Sequence, residues 1–357
     1  MNEFKPGLEG VVAFETEIAE PDRDGGSLRY RGVDIEELVG RVPFEKVWGL
    51  LVDGSLEPGL PVEHPQLEIR TGSPMHDAQA GLAILGGRRE LQPLIDIDDA
   101  RARDDLARLS ASTLSLVAQS ARGDQPPVPE EVVRQGTTAA ERFLLTWRGE
   151  LDERHARAID TYWICTAEHG LNASTFVARV AASTGADCAA SLSAAVGALS
   201  GPLHGGAPAR VLPMLDAVAG SGDAERWIKE AMDRGERIMG FGHRVYRAED
   251  PRARVLRQTA KELGAPRFEV AEELERVALA ELAARHPERV LATNVEYWSA
   301  VVLDVADVPP QLAPALFACS RTAGWSAHVL EQKRLGKLVR PAAKYVGPGE
   351  RPLDSLL

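Results

Sequence analysis

NASTFVARVAASTGADCAASLSAAVGAL, residues 172–199, contains two consecutive helical patterns. Apolar residues recur at three- and four-residue spacing over residues 172–183 and again over residues 187–199, which is typical of helices. Both segments are rich in Ala and Ser, and such small side chains allow two helix backbones to approach closely. We therefore expect this helix pair in the protein interior or at a subunit interface.

The helical pattern extends along most of the chain on both sides of this pair. Asp34 is a candidate N-cap for a short helix, and Pro43 and Gly54 are candidates to open and close the next one. No βαβ alternation and no internal repeat occurs in the sequence, so the pattern predicts an all-α fold. The remaining predicted helices cover residues 104–121, 129–147, 156–167, 224–234, 251–263, 269–285, 294–306 and 311–334.

Strand signals are confined to the first thirty residues. Apolar residues alternate in GVVAFETEI (residues 10–18), and the turn-rich EPDRDGG separates this segment from the short SLRYRG. This arrangement predicts a small N-terminal β-hairpin. The Pro-rich residues 57–70 are expected to form a loop.

The composition limits the classes of protein to which the chain can belong. Its 357 residues exceed the usual size of a single hydrophobic core, so two lobes are expected. The net charge of -12 disfavours nucleic acid as the main partner, because phosphate binding needs a basic face. Cys165, Cys188 and Cys319 lie in apolar helical stretches and are expected to be buried, reduced thiols. Since no stretch approaches the length of a membrane span, we expect a cytoplasmic enzyme.

Glycines interrupt the helical pattern next to histidine at two places. The first is LSGPLHGGAPAR (residues 199–210), where His204 precedes a helix that could begin near Ala207. A histidine at a helix N-terminus tends to stay neutral, and a neutral imidazole N–H is a good donor to a carbonyl oxygen that becomes an enolate. For an isolated HGG sequence, however, a histidine that only caps a turn is the more common case.

The second stretch is GERIMGFGHRVYRAEDPR (residues 235–252), which carries His243. Gly240 and Gly242 leave backbone amides unshielded, which suits contact with a flat or anionic ligand. Three arginines follow within nine residues and can bind phosphate or carboxylate by forked hydrogen bonds; they are Arg244, Arg247 and Arg252. A solvated basic turn that pairs with Glu249 and Asp250 explains the same pattern equally well.

Four further residues are candidates that carry little weight singly. His169 precedes a helix start, and Glu296 stands in the first turn of an apolar helix, where a carboxylate usually offsets the helix dipole. Arg321 lies in an apolar helix, where a charge requires a partner, and Arg340 lies in a short C-terminal loop. The sequence has no metal-site signature, no dinucleotide or nucleotide-triphosphate motif and no serine-hydrolase motif.

Taken together, these stretches resemble the citrate synthase family over nearly the whole chain. The matching motifs follow in order and include GLEGVVAFETEI, EHGLNASTF, GPLHGGA, GFGHRVYR followed by DPR, NVEYWSA, SRTAGWSAHVLEQ and LVRPAAKYVGP. The resemblance implies the all-α, two-domain fold of that family. It places a large domain at residues 1–205 and 308–357 and a small, mobile, CoA-binding domain at residues 206–307.

The resemblance also implies an activity, the condensation of acetyl-CoA with oxaloacetate in a homodimer, with neither a cofactor nor a metal. His204 would stabilise the acetyl-CoA enolate, His243 would donate to the oxaloacetate carbonyl, and Glu296 would be the base. The oxaloacetate carboxylates would be held by His169, Arg252, Arg321 and, from the partner subunit, Arg340. Arg247 would contact the CoA phosphates, and Gly240, Phe241 and Gly242 would face the adenine.

One residue departs from the family pattern. The family's usual base is the aspartate of NVDF, whereas this chain has Glu296 in NVEY. An extra methylene moves the carboxylate by about 1 Å unless the backbone retreats, and such a displacement can reduce a rate by about 100-fold. The chain is then expected to be a citrate synthase with a helix set back at Glu296, a 2-methylcitrate synthase that uses propionyl-CoA, or a weakly active ligand-binding paralogue.

Overall fold

The structure is a computed structural model that describes residues 4–8, 10–22, 24, 26–204, 210–242, 249–289 and 291–356. Within these residues the chain is mainly helical, as predicted. The helices are α1 (Ile35–Leu38), α2 (Phe44–Asp53), α3 (Pro74–Arg88), α4 (Asp99–Ala121), α5 (Glu130–Val133), α6 (Ala139–Arg148), α7 (Glu153–Thr166), α8 (Ala173–Ser183), α9 (Cys188–Leu199), α10 (Val211–Ser221), α11 (Ala224–Asp233), α12 (Pro251–Glu262), α13 (Phe268–Arg285), α14 (Val295–Val305) and α15 (Ala313–Leu335). No described helix is long and apolar enough to cross a membrane.

Capping residues set most helix starts close to their predicted positions. Asp34 accepts a hydrogen bond from the amide of Glu36, and α2 begins after Pro43 and ends at Gly54 in the left-handed conformation. Asn172 and Asp187 cap α8 and α9 in the same way, so the two helices of residues 172–199 are confirmed. The small residues of α9 allow α3 to pack closely against it, because a Cβ added to Gly86 on α3 would lie 2.8 Å from the Ala189 side chain on α9.

Two helical features differ from the prediction. Helix α3 was not predicted, because its three glycines weaken the helical signal. Tight packing explains two of them, since a Cβ on Gly81 would lie 2.7 Å from Leu116 and one on Gly86 would meet Ala189. The predicted helix at residues 129–147 is two helices, α5 and α6. Thr138 and Glu141 form a capping box that starts α6 as a separate element.

The predicted hairpin is displaced along the chain and gains a third strand. The strands are β1 (Ala19–Asp22), β2 (Ser27–Tyr30) and β3 (Val33–Asp34), which pair as an antiparallel sheet in the order β1-β2-β3. Residues 11–18 are not a strand, so their assignment as the first strand was wrong. Side chains of α15 and α8 hold this segment instead: Thr16 Oγ1 and the Glu17 amide donate to Glu331 Oε1 at 3.2 and 3.1 Å.

Helix α15 lies at the centre of the hydrophobic core and packs against α2, α4, α7 and α8. It is buried on every side along most of its length, as expected of a helix surrounded by others. The fully buried side chains of Trp48, Trp163 and Trp325 fill the space between these helices. All three cysteines are buried and free, as predicted.

A chain of buried polar side chains crosses this core. His328 on α15 accepts a hydrogen bond from Arg179 at Nδ1 (2.9 Å), so its Nε2–H is available to donate to Glu168 at 3.2 Å. Arg179 also pairs with Glu331 at 2.5 Å, and the Phe14 ring lies 4.1 Å from its guanidinium. The N-terminal segment is thereby connected to Glu168, the residue before His169.

Candidate active site

A cavity of about 150 Å³ opens where α7, α12, α14 and α15 meet. Helices α12 and α14 pack against each other and against α7, which brings residues from distant parts of the sequence together. The cavity is lined by Tyr162, Thr166, His169, Asn172, His204, Arg252, Val295, Glu296, Ser299, Phe317 and Arg321.

Five of the predicted site residues therefore share one cavity: His169, His204, Arg252, Glu296 and Arg321. His243 and Arg247 lie outside the described residues. Arg340 is exposed and does not line this cavity in its own chain. Gly240, Phe241 and Gly242 lie beside residues 292–294, just before α14, and Gly240 and Gly242 are hydrogen-bonded to them.

His204 is oriented by Ser174 in the first turn of α8. The Ser174 backbone N–H donates to His204 Nε2 at 3.3 Å, and the Ser174 hydroxyl lies 2.9 Å from the same nitrogen. Because a backbone amide can only donate, Nε2 is an acceptor and the proton of the neutral ring is on Nδ1. Trp325 Nε1 donates to the Ser174 hydroxyl at 3.1 Å and fixes it in turn.

The His204 imidazole is neutral over the physiological range. Burial lowers its pKa to about 4, and the positive charge of Arg321 contributes in the same direction. A neutral state was predicted from a helix N-terminus, but the helix start near Ala207 lies outside the described residues. Burial and a neighbouring cation account for the neutral ring.

Glu296 stands in the first turn of α14, as predicted. Asn294 caps the helix by accepting a hydrogen bond from the Glu296 amide at 3.0 Å. The half-buried Glu296 carboxylate accepts no hydrogen bond from any described residue, and burial raises its pKa above the ordinary value. Val295 lines the cavity beside it, whereas Tyr297 and Trp298 bond to Ala271 and Glu275 of α13 and face away.

Arg321 presents a buried cation to the cavity. Its Nε donates to the Thr166 carbonyl at 2.9 Å, and its guanidinium lies 4.6 Å from the centroid of the Phe317 ring. Among the described residues no carboxylate lies within ion-pair distance of it, and burial lowers its pKa. A buried arginine without a paired anion is a ready site for a substrate carboxylate.

Arg252 is the second buried cation of the cavity, at the N-terminus of α12. Its Nε and Nη2 donate to the two oxygens of Asp250 at 2.9 and 2.7 Å. Asp250 also caps α12 by accepting from the Arg252 amide at 3.0 Å. The forked pair fixes the guanidinium plane, and the positive charge of Arg252 lowers the pKa of Glu296 on α14.

The glycine loop is attached to α14 through Asn294. The Asn294 amide donates to the Gly240 carbonyl at 2.9 Å, and its side chain donates to the Gly242 carbonyl at 3.0 Å. Gly240 has φ +90°, and a Cβ there would lie 2.7 Å from the Tyr297 side chain, so only glycine fits. The loop and Glu296 are thus parts of one rigid unit.

Sequence reasoning missed several residues that line the cavity or support it. Tyr162 and Thr166 are four residues apart on α7, Ser299 is three residues after Glu296, and Phe317 is four residues before Arg321. Helical spacing from Glu296 and Arg321 would have found Ser299 and Phe317, because residues three and four apart share a face. Ser174 could have been found only from its contact with His204, which depends on tertiary structure.

The arrangement can support proton removal next to a carbonyl group. A carboxylate with a raised pKa is a competent base near neutral pH, and a neutral imidazole can donate to an oxygen that gains negative charge. Two buried arginines in the same cavity suit a substrate with more than one carboxylate. No group of three His, Cys, Asp or Glu side chains that could hold a metal ion occurs within the described part of the chain.

Comparison with known proteins identifies the family. The model of the citrate synthase C-terminal domain matches residues 7–342. "Putative citrate synthase 2" of Mycobacterium tuberculosis is 63% identical, covering 99% of this chain and 95% of that protein. A 2-methylcitrate synthase of Shewanella oneidensis is 31% identical, over 97% of this chain and 95% of that protein.

The fold agrees with the sequence comparison. A citrate synthase of Thermoplasma acidophilum, solved as a ternary complex, superposes with a TM-score of 0.82 at 27% identity, covering 99% of both chains. That structure holds carboxymethyl coenzyme A and oxaloacetate. Since the family model spans nearly the full length and the fold is shared from end to end, this chain belongs to the citrate synthase family.

Proposed function

We propose that the protein condenses acetyl-CoA with oxaloacetate and hydrolyses the resulting citryl-CoA to citrate and CoA. One observation carries the proposal: a neutral His204 and a carboxylate with raised pKa, Glu296, line the same cavity as two buried arginines. Acetyl-CoA and oxaloacetate match this site because one needs a base and a hydrogen-bond donor, and the other carries two carboxylates. No cofactor is needed for this chemistry.

In the proposed first step, Glu296 removes a proton from the thioester methyl group while His204 donates to the thioester oxygen. The methyl group is a weak acid, so both groups must act together. Stabilisation of the developing oxyanion by one placed donor can contribute about 3 kcal/mol. The raised pKa of Glu296 brings its basicity closer to that of the weak acid it deprotonates.

In the second step the enolate carbon forms a bond to the carbonyl carbon of oxaloacetate. We assign to His243 the role of donating a proton to the resulting alkoxide. The oxaloacetate carboxylates are assigned to Arg252, Arg321 and His169. Water then attacks the citryl thioester carbon, the C–S bond breaks, and CoA leaves as the thiol. A site closed over its substrates would protect acetyl-CoA from hydrolysis before condensation.

The quaternary arrangement and the domain division are part of the same proposal. Arg340 lies exposed in the segment after α15 and has no hydrogen bond or ion pair to described residues, which suits a side chain that enters the site of a partner subunit. We further propose that residues 206–307 form a small domain, in which residues 240–242 and Arg247 contact CoA. The three buried free thiols suit a reducing compartment such as the cytoplasm.

Loss of Arg340 tests the shared site. We expect Arg340→Ala to weaken oxaloacetate binding by about tenfold or more, because one charge-assisted contact is removed while the dimer persists. Titration calorimetry with oxaloacetate measures the affinity, and sedimentation velocity measures the oligomeric state. Lys344→Ala, in the same segment, is the matched control. Unchanged affinity in a dimeric Arg340→Ala protein would contradict a shared site.

A second candidate is 2-methylcitrate synthesis from propionyl-CoA. It is favoured by the similarity to the Shewanella enzyme of that name, and one methylene group changes binding by only about 1–3 kcal/mol. A third candidate is a ligand-binding paralogue of low activity, because Glu296 stands where the family motif has aspartate. Release of the CoA thiol from acetyl-CoA and from propionyl-CoA, each with oxaloacetate, separates the three. No release from either thioester would reject both enzymes.

A further inference from the structure

Asp250 connects the two halves of the cavity. Its carboxylate holds the Arg252 guanidinium by two hydrogen bonds, and its Oδ2 also accepts the Val295 backbone N–H of α14 at 3.1 Å. Val295 precedes Glu296, so one buried side chain fixes both the arginine on α12 and the start of the helix that carries the proposed base. Asp250 is 1% exposed, which strengthens these interactions.

We propose that Asp250 is a positioning residue that couples Arg252 to Glu296, by tying α12 to α14 and by offsetting the arginine charge close to the base. This inference rests on the proposed function. Without Asp250, the negative charge that opposes the effect of Arg252 on Glu296 would be lost, and the carboxylate would become a weaker base. With Asp250, an arginine can bind a substrate carboxylate beside a base that keeps its proton affinity.

Electrostatics supports the geometric argument. Arg252 lowers the pKa of Glu296, and Asp250 raises it, so the two charges act on the base in opposite directions. Burial acts in the same direction as Asp250. Among the described residues, the other charged or titratable groups around Glu296 are Arg237 before the glycine loop, Tyr162 on α7, Arg321 on α15, and His169 and His204 on the cavity wall.

The test is the pH dependence of kcat/KM for thiol release in the full-length protein. The base must be ionised, so activity falls as the pH drops through the pKa of Glu296. Asp250→Asn removes a negative charge, and we expect the acid limb to move to lower pH by about 0.5–1 unit. Asp250→Glu keeps the negative charge, so the acid limb of its kcat/KM profile is expected at the wild-type pH even if kcat/KM is reduced.

A matched control removes another aspartate from the same helix system. Asp304, in the last turn of α14, pairs with Arg267 at 2.7 Å and does not line the cavity. We expect Asp304→Asn to leave the acid limb in place. A uniform loss of activity in Asp250→Asn, with an unmoved limb, would show that Asp250 has only a structural role and would overturn the proposal.

A second variant keeps the proposal testable if Asp250→Asn does not fold. Arg252→Gln removes the opposing positive charge, so the acid limb should move to higher pH, and a limb at the wild-type position would overturn the coupling. Wild-type activity is measured first. If the wild-type protein releases no thiol from either thioester, the proposed function fails; if it is active and the limbs do not move, only this inference fails.

Discussion

The residues that line the cavity include two functional groups, named the arginine wall (Arg252 and Arg321) and the proton-transfer wall (His204 and Glu296), and the two are built in different ways. On one wall Arg252 and Arg321 are at most 3% exposed, and carbonyl or carboxylate groups hold each guanidinium in place. On the other wall His204 and Glu296 are half-buried, and the Glu296 carboxylate has no hydrogen-bond partner among the described residues. The two guanidinium groups, which would bind substrate carboxylates, are held in place by hydrogen bonds. The Glu296 carboxylate, which would accept a proton, is partly shielded from water and accepts no hydrogen bond from a described residue.

This difference follows from what each wall must do. A guanidinium binds a carboxylate best when its plane is fixed before the ligand arrives, because little entropy is then lost on binding. A base that accepts several hydrogen bonds would have a low pKa and would be too weak to remove a proton from carbon. Burial without hydrogen-bond partners therefore favours Glu296 as a base. The same environment would leave the Arg252 guanidinium without a fixed orientation for binding a carboxylate.

The largest effect is expected on the proton-transfer wall. Glu296→Gln removes the base with little change in volume, and we expect turnover to fall by about 10²–10⁴-fold. Oxaloacetate affinity should stay within about twofold, because the arginine wall is intact. Thiol release measures the first quantity and titration calorimetry the second. Near-normal turnover in Glu296→Gln would show that the base is another residue, and the assignment of Glu296 to the proton-transfer wall would be wrong.

The next largest effect is expected on the arginine wall. Arg321→Gln removes a buried cation, and we expect oxaloacetate to bind about 30-fold to 1000-fold more weakly, since a desolvated charge pair is lost. The free protein should keep or gain thermal stability, because the unpaired buried charge is itself unfavourable. Calorimetry and thermal unfolding measure the two effects. Arg334→Gln, on the exposed end of α15, is the control. A stability loss without a binding loss would make Arg321 structural.

A smaller effect is expected from the support of His204. Ser174→Ala removes the hydroxyl 2.9 Å from Nε2 but keeps the backbone N–H, so the tautomer is retained and the ring is held less firmly. We expect turnover to fall by about tenfold. Nitrogen chemical shifts of labelled histidine report the tautomer. A proton on Nε2 in the wild-type protein would refute the assignment.

The smallest effect concerns His204 and pH. Its pKa of about 4 lies below that of Glu296, which is raised above the ordinary value. As the pH falls, activity should first decline with the loss of one ionised carboxylate, and protonation of His204 should matter only near pH 4. A kcat/KM profile from pH 4 to 8 measures this order. Uptake of two protons together at the first decline in activity would mean that Glu296 and His204 do not titrate separately.

Local signals in the sequence predicted most of the fold. Caps such as Asn172 and Asp187 act within one helical turn, so they can be read without tertiary structure. Helix α3 was missed because packing against Leu116 and Ala189, and not local propensity, explains its glycines. The segment at residues 11–18 was misassigned for the same reason, since its partner Glu331 is more than 300 positions away.

The candidate site was predicted less completely than the fold. His169, His204, Arg252, Glu296 and Arg321 were selected from motifs, and the structure places them around one cavity. The supporting contacts could not be predicted in this way. Ser174 acts on His204 through space. Asp250, which the sequence suggested only as one candidate partner for the nearby arginines, reaches α14 only after α12 and α14 have packed together.

The hydrogen bonds between the N-terminal segment and α15 affect the order in which the chain can fold during synthesis. Thr16 and Glu17 are synthesised well before Glu331, to which both are hydrogen-bonded. The contact joins residues 315 positions apart, so it can form only after all the residues between them have been made. Until then Arg179, whose guanidinium lies over the apolar Phe14 ring, lacks its partner Glu331, and this segment is a point where a nascent chain would benefit from a chaperone.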